Sequence, residues 1–444
     1  MIWFAPPHPP APVQTQAPAP VTTAAVGDAY FQFIQGRMLE GRGDVAGAIG
    51  AYRKAIALMP QAADVRAELA GLLAREGRTA EAIVEAEAAL TSEPANREAH
   101  RILGFVRSAL ADNAQAGQQA ALATQAALAT QAAGHFEKAL AGGTRDPGVE
   151  LSLGRLYVRL GQHAKAVETL QAFLNDQPGY PEGVLLLTEA LDATGQFAQA
   201  VMALEPLVRD EPDLARARLW LAEMYERVGR EADAVTQWAE LVRTNPSNTA
   251  MRLRHATALV NVGWLDDGRT VLRVLTIETP RDISAWYLLS QVENRTGNAD
   301  AAEAAARQIS DIDGSDPRGP LAMAEARSAR KDYRGAVATL EPLLTALRSQ
   351  PPSEVYGRVA IELADALDQT GESGRSLRVL EDAAVALPAS SDVLHHLAET
   401  LFGLKRYREA MEAWTRALAG DRLNIDVTEV TRKRDRAREL AGRQ

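Results

Sequence analysis

A glycine recurs every 34 residues through the middle of this chain, at Gly161, Gly195, Gly229, Gly263 and Gly297. Pro178, Pro212, Pro246 and Pro280 keep the same step, and so do Ala166, Ala200, Ala234, Gly268 and Ala302. A fixed period of this size forces an array. Each unit is too small to bury its own apolar face and must stack on its neighbours. The 444 residues are therefore not read as the roughly three globular domains that length alone would suggest.

Eleven frames follow from the period, beginning at Ala29, Ala63, Arg97, Pro147, Pro181, Ala215, Thr249, Ile283, Pro317, Gly357 and Ser391. All steps are 34 residues except the third, at 50, and the ninth, at 40. Positions 8 and 20 are small in every frame; Gly36, Gly104 and Gly154 are examples at position 8. Position 24 is large in most frames, as at Tyr52, Phe136, Leu170, Trp238 and Trp414. Small residues let two helices cross closely, and large ones fill the space between hairpins. Glycine at position 15 suits the left-handed end of a first helix. Proline at position 32, such as Pro60 or Pro388, closes the second. This pattern resembles the tetratricopeptide repeat family over residues 29–422. The resemblance implies an all-α, right-handed superhelical solenoid of antiparallel helix hairpins.

The ends differ from the array. Residues 1–27 contain no Lys or Arg, carry seven prolines, and have Asp28 as the next acid. They read as an extended tail or as the remnant of an export signal whose start lies upstream. The chain as written is then cytoplasmic, or periplasmic if such a signal precedes it. Residues 423–444 read as a capping helix, with Arg432, Lys433, Arg434, Arg436 and Arg438 interleaved with Glu429, Asp435 and Glu439. The excess in the third frame, about 108–131, holds ALATQA twice. It reads as a lengthened hairpin, because alanine favours helix, or as a docking arm. Pro206 and Pro342 fall inside second helices. They read either as curvature devices or as strain tolerated on an outer face. Pro351-Pro352 reads as a hinge.

Composition closes several routes to function. The net charge of −10 argues against nucleic acid, whose binders carry basic patches. No cysteine is present, which removes thiolate catalysis, disulfides and zinc–cysteine sites. No apolar run approaches the length of a membrane span. None of the seven histidines stands in an H-x-x-x-H pair or beside a suitable carboxylate cluster, and adjacent His395 and His396 point apart on a helix. No phosphate loop or nucleophile motif occurs. Catalytic, cofactor and metal sites are all expected to be absent. Abundant arginine and alanine suggest a GC-rich bacterial genome.

The family resemblance implies a groove lined by first helices at positions 2, 5, 9, 12 and 13. Position 5 carries Leu151, Leu185, Leu219, Leu253, Tyr287 and Leu321. This stripe reads as packing or as an exposed apolar strip, and exposure is the reading favoured here. Arg155, Arg159, Glu189, Asp192, Glu223, Glu226, Arg227, Gln291, Asn294 and Arg295 surround it. The lysine and asparagine pattern that clamps a C-terminal carboxylate in chaperone-binding members is missing. The expected function is a non-enzymatic scaffold that holds a protein or peptide segment. The alternative is an assembly component of a bacterial envelope or secretion system.

Overall fold

The computed structural model describes residues 23–113, 119–421 and 425–442. Every regular element among them is an α-helix. The chain divides into two compact units, Met1–Trp220 and Leu221–Gln444.

The first unit holds α1 Thr23–Gly41, α2 Val45–Leu58, α3 Ala63–Arg75, α4 Thr79–Ser92, α5 Arg97–Asn113 and α6 Gln119–Ala139. It continues with α7 Pro147–Arg159, α8 His163–Asp176, α9 Pro181–Ala193 and α10 Phe197–Asp210. The boundary falls within α11, Ala215–Arg227. The second unit contains α12 Glu231–Thr244, α13 Thr249–Val262, α14 Leu265–Glu278, α15 Ile283–Arg295, α16 Ala299–Ile312 and α17 Arg318–Ala329. After these come α18 Tyr333–Leu347, α19 Glu354–Gln369, α20 Ser373–Ala386, α21 Ser391–Gly403, α22 Tyr407–Ala419 and α23 Val427–Ala441. Each frame thus supplies one hairpin, with an odd-numbered first helix and an even-numbered second.

The hairpin turns are set by backbone conformation. Gly161, Gly195, Gly229, Gly263 and Gly297 all take φ between 69° and 88°, the left-handed region open to glycine without a Cβ clash. Frames nine and eleven put Lys331 and Lys405 there instead, and both adopt the same conformation at φ 63° and 62°. Such a residue costs about 1–2 kcal/mol relative to a right-handed one. The hairpin imposes the turn even where its preferred residue is missing.

Close crossing explains the small residues at position 8. A Cβ built on Gly154 would lie 2.5 Å from Leu170, and one on Gly104 would lie 2.4 Å from the Phe136 ring. Both partners are position-24 residues and fully buried. Gly154→Leu should therefore destabilise the first unit by about 1–3 kcal/mol through overpacking. Urea unfolding would measure this, and an unchanged midpoint would contradict the crossing argument.

First helices of successive hairpins pack side by side: α3 on α5, α5 on α7 and α7 on α9 in the first unit, and α13 through α21 in odd steps in the second. Second helices do not pair with one another to a comparable extent. In each unit the first helices therefore form one closely spaced layer and the second helices an outer, more widely spaced one.

Several expectations change. Helix α1 starts at Thr23, so the tail boundary at residue 27 is too late. Ala24, Ala25 and Val26 follow the last proline and extend the helix; residues 1–22 lie outside the described residues. Helices α5 and α6, at 17 and 21 residues, exceed the 13 and 14 of α7 and α8, as a lengthened hairpin requires; residues 114–118 lie outside the description. Leu122 is exposed while Leu128 is half-buried, consistent with the rotation of about 240° that six residues produce. Pro206 and Pro342 sit inside α10 and α18 without ending them. Both prolines are exposed, and so are Met202 and Ala338, whose carbonyls lose a donor to them. Both prolines therefore lie on the exposed face of a second helix.

The hinge at Pro351-Pro352 is not found. One buried cluster runs from Leu321 through Leu344, Tyr356 and Val393 to Val430 and Ala437, so the core is continuous across that loop. Val430 and Ala437 anchor α23 to this core, and its exposed face carries Arg432, Arg436, Arg438 and Glu439, as a terminal cap needs.

Candidate functional site

In the first unit, Leu151, Leu185 and Leu219 are each half-buried. Half-burial means each side chain leans on neighbouring helices and keeps one edge open. Arg155 pairs with Glu182 of α9, and Arg159 pairs with Asp112 of α5. These arginines staple adjacent first helices together. Glu189 and Asp192 are half-buried on α9. A cleft of about 430 Å³ opens between α3 and α5, lined by Gly71, Ile102, Phe105 and Leu110.

His100 and His135, 35 residues apart in the sequence, touch each other. His100 Nδ1 lies 2.9 Å from His135 Nδ1, and His100 Nε2 lies 3.0 Å from the Pro94 carbonyl. Only a donor can face that carbonyl, so His100 Nδ1 is bare and accepts from His135 Nδ1–H. His135 Nε2 is then bare as well, and accepts from Arg107 at 2.7 Å. Each ring carries one proton. Burial first, then Arg107, pushes His135 down to about 4. This neutral pair ties α5 to α6.

In the second unit several sequence-assigned groove residues serve the fold. Glu226 accepts a hydrogen bond from Trp238 Nε1 at 2.8 Å and one from Arg254 at 2.9 Å. The Arg254 guanidinium lies 5.0 Å from the Trp238 ring centroid and 3.7 Å from Glu223. Three helices are joined by this group. The same device occurs in frame one, where Tyr52 donates to Glu40 at 2.8 Å. In both frames a position-12 acid receives the position-24 aromatic. Frame eight has Ala306 at position 24, and there Asn294 is left with both side-chain polar atoms buried and unpartnered. Arg227 is exposed. Arg295 donates to the Val260 carbonyl at 2.9 Å, so it finishes the end of α13.

The apolar stripe also divides. Leu253 packs against one core cluster and Tyr287 against two. Leu321 is buried at 1% exposure, so the stripe is not an exposed strip in frame nine. Position 5 there faces the next first helix closely enough to join the core. Gln291 is half-buried one turn from Tyr287, and burial, then Glu325, pushes the Tyr287 hydroxyl up to about 12.

A further group of ionisable side chains, not assigned from sequence, is brought together by the fold. It lies on the first helices of frames nine to eleven: Glu325 on α17, Arg358, Glu362, Asp365 and Asp368 on α19, and Asp392, His396 and Glu399 on α21. Arg358 reaches Glu325 at 3.3 Å. His396 Nδ1 lies 3.0 Å from the Asp392 carbonyl and 3.4 Å from its carboxylate. Asp368 accepts from Ser376 at 3.0 Å and from Thr400 at 3.2 Å. Lys433 of α23 reaches Glu399 at 2.6 Å.

Burial, with Glu325 and Asp365 nearby, pushes Glu362 up to about 7. Burial likewise raises Asp365 and Glu325. Burial opposes a charge on His396, but Asp392 and Asp365 outweigh it and hold the ring up at about 9. The sequence reading that no histidine stands beside a carboxylate cluster is thus corrected: turns of two helices bring together acids that are far apart in the chain. The frame carries a signal for it: Arg358, Asp365 and Asp368 occupy positions 2, 9 and 12 of frame ten, and Asp392 and Glu399 occupy positions 2 and 9 of frame eleven. A small cleft of about 270 Å³ opens among Asp365, Asp368, His396 and Thr400. No set of three or more His, Asp or Glu side chains among the described residues is arranged to hold a metal ion. No helix there is long and apolar enough to cross a membrane.

Tetratricopeptide repeat family models match residues 39–104, 149–180, 185–249 and 253–317, together about half of the chain. Among solved structures, the chain is similar to a tetratricopeptide repeat protein from Parabacteroides merdae, at 14% identity over 65% of this chain and 98% of that one, with a TM-score of 0.44. It is also similar to yeast Tom70, at 13% identity over 93% of this chain and 96% of that one, with a TM-score of 0.48. No curated protein sequence matches it.

Proposed function

This chain belongs to the tetratricopeptide repeat family, and on that premise we propose that it is a non-catalytic scaffold that holds a protein segment against its layer of first helices. The segment lies on the second unit and brings basic side chains to the face formed by α17, α19 and α21. One observation supports this choice above the rest. Glu325, Glu362 and Asp365 are crowded and partly desolvated, so that their carboxyl groups are raised, while Arg358 and His396 are the cations set among them. An arriving lysine or arginine relieves that crowding, and a charged pair formed in a partly desolvated site is worth more than one in open water. The half-buried Leu151, Leu185, Leu219 and Leu253 supply the apolar edges expected of a binding layer in their own units.

The test is a peptide-display selection on the immobilised full chain. Enriched peptides should carry lysine or arginine, and their affinity should fall by about tenfold, some 1.4 kcal/mol, in a Glu362→Gln, Asp365→Asn double variant whose helical circular dichroism is unchanged. Enrichment without basic residues, or binding that ignores the double variant, counts against the reading.

A further inference from the structure

Helix α1 is apolar on two sides. One side buries Ala29 and Gly36 and sets Phe33 6.0 Å from the Tyr52 ring. The other carries Val26, Tyr30, Ile34 and Met38, one residue every four, with Phe31 beside them. Tyr30, Phe31 and Met38 are 66%, 64% and 54% exposed. Elsewhere among the described residues, large exposed apolar side chains occur at most two to a helix. A solenoid end in water needs a polar outer face. Helix α23 has one; α1 does not.

At such exposures the five side chains leave roughly 500 Å² of apolar surface open, taking about 150–250 Å² for each aromatic when fully exposed. That lies in the upper part of the range for any patch on a soluble monomer, about 300–600 Å². Two such faces together reach about 1,000 Å², the size at which an interface becomes specific.

We propose that this face is covered by the same face of a second copy of the chain, the two α1 helices lying antiparallel about a two-fold axis near Gln32. An evenly spaced stripe is self-complementary under that operation. Val26 then meets Met38 of the other copy, and Tyr30 meets Ile34. The three charges of α1, Asp28, Arg37 and Glu40, fall level with Gly36, Gly27 and Ala24, so none meets its like. Arg37 already has Glu68 as a partner within its own chain at 2.7 Å. The two-fold pairing therefore sets no like charges opposite each other along the apolar seam.

Sedimentation velocity of the full chain from about 1 to 100 μM should show a monomer–dimer equilibrium. A Tyr30→Glu, Ile34→Glu double variant should raise the dissociation constant at least about tenfold with helical content unchanged, since both residues are on the open side. The chain has no cysteine, so a short bismaleimide, which can bridge two thiols offset along the seam, should cross-link an Ile34→Cys variant into a dimer, whereas Met202→Cys, exposed on α10, should not be cross-linked. The cross-link decides the matter if the glutamate variant fails to fold. A chain that stays monomeric at about 100 μM overturns the proposal. An apolar dye bound by that monomer then assigns the face to a different protein, and exclusion of the dye assigns it to residues 1–22 of the same chain. A dimer indifferent to the double variant, or cross-linked equally through residue 202, overturns it as well.

Discussion

Trp238→Ala should destabilise the second unit by about 3–5 kcal/mol, the range for removing a buried aromatic. Trp238 is 1% exposed and fills position 24, between its own hairpin and the next. Its loss leaves a cavity that α12 and α13 cannot collapse into, because α13 is held on its other side by α14 and α15. It also takes the indole N–H from Glu226 and the ring from beneath Arg254. Trp238→Phe keeps most of the volume and should cost less, with the missing donor accounting for about 1 kcal/mol of it. Trp264→Ala is the control: that side chain is 47% exposed and should change stability by less than about 0.5 kcal/mol. Guanidinium unfolding would rank the three. A Trp238→Ala loss below about 1 kcal/mol would mean that the position-24 residues do not hold neighbouring hairpins together.

That ranking also bears on what a sequence can reveal in an array. The 34-residue step fixes where each hairpin turns, and Gly161 through Gly297 take the conformation expected of them. Lys331 and Lys405 show the limit: the fold demands the same turn where nothing local announces it. Site assignment was less legible, for a geometric reason. A frame position tells which side of a helix a residue is on, not what stands opposite. Glu226 and Asn294 share position 12, yet one binds an aromatic N–H and the other has no partner, because position 24 is tryptophan in one frame and alanine in the other. Leu321 and Leu185 share position 5, yet one is core and the other half-open, since the spacing of neighbouring first helices differs from frame to frame. The acids of α19 and α21 are not legible from the apolar stripe, because the charged positions of the last two frames lie outside it. The open face of α1 was illegible for a related cause. Tyr30, Phe31, Phe33 and Ile34 look like core in sequence, and only the packing shows which of them is covered.

Glu362 and His396 on α19 and α21 should respond to pH in the opposite sense to His135 in the α5–α6 pair. Glu362 has an ordinary value of 4.5 and is raised to about 7 in the fold. Between those values the folded chain binds a proton that the unfolded chain has released, so stability falls as pH rises. His396 has an ordinary value of 6.5 and is raised to about 9; its contribution is complete below pH 6.5 and is lost as pH climbs through 9. The contributions of Glu362 and His396 to the region around α19 and α21 should therefore be lost between about pH 4.5 and 9, each on the order of 3 kcal/mol. His135 in the first unit runs the other way. Its value is depressed to about 4, so the α5–α6 pair is stable above pH 6.5 and loses stability as pH falls toward 4, when a second proton sets two donors against each other. Hydrogen exchange followed segment by segment across this range would separate the two trends. Protection in α19 and α21 should be higher at pH 5.5 than at pH 8.5 after correction for intrinsic exchange, and protection in α5 and α6 should fall below pH 5. Glu362→Gln should flatten only the lower limb of the first trend, and His396→Gln only the upper. If both variants leave the profile of α19 and α21 unchanged, the carboxylates of that face are solvated rather than crowded, and the electrostatic basis for a basic partner segment goes with them.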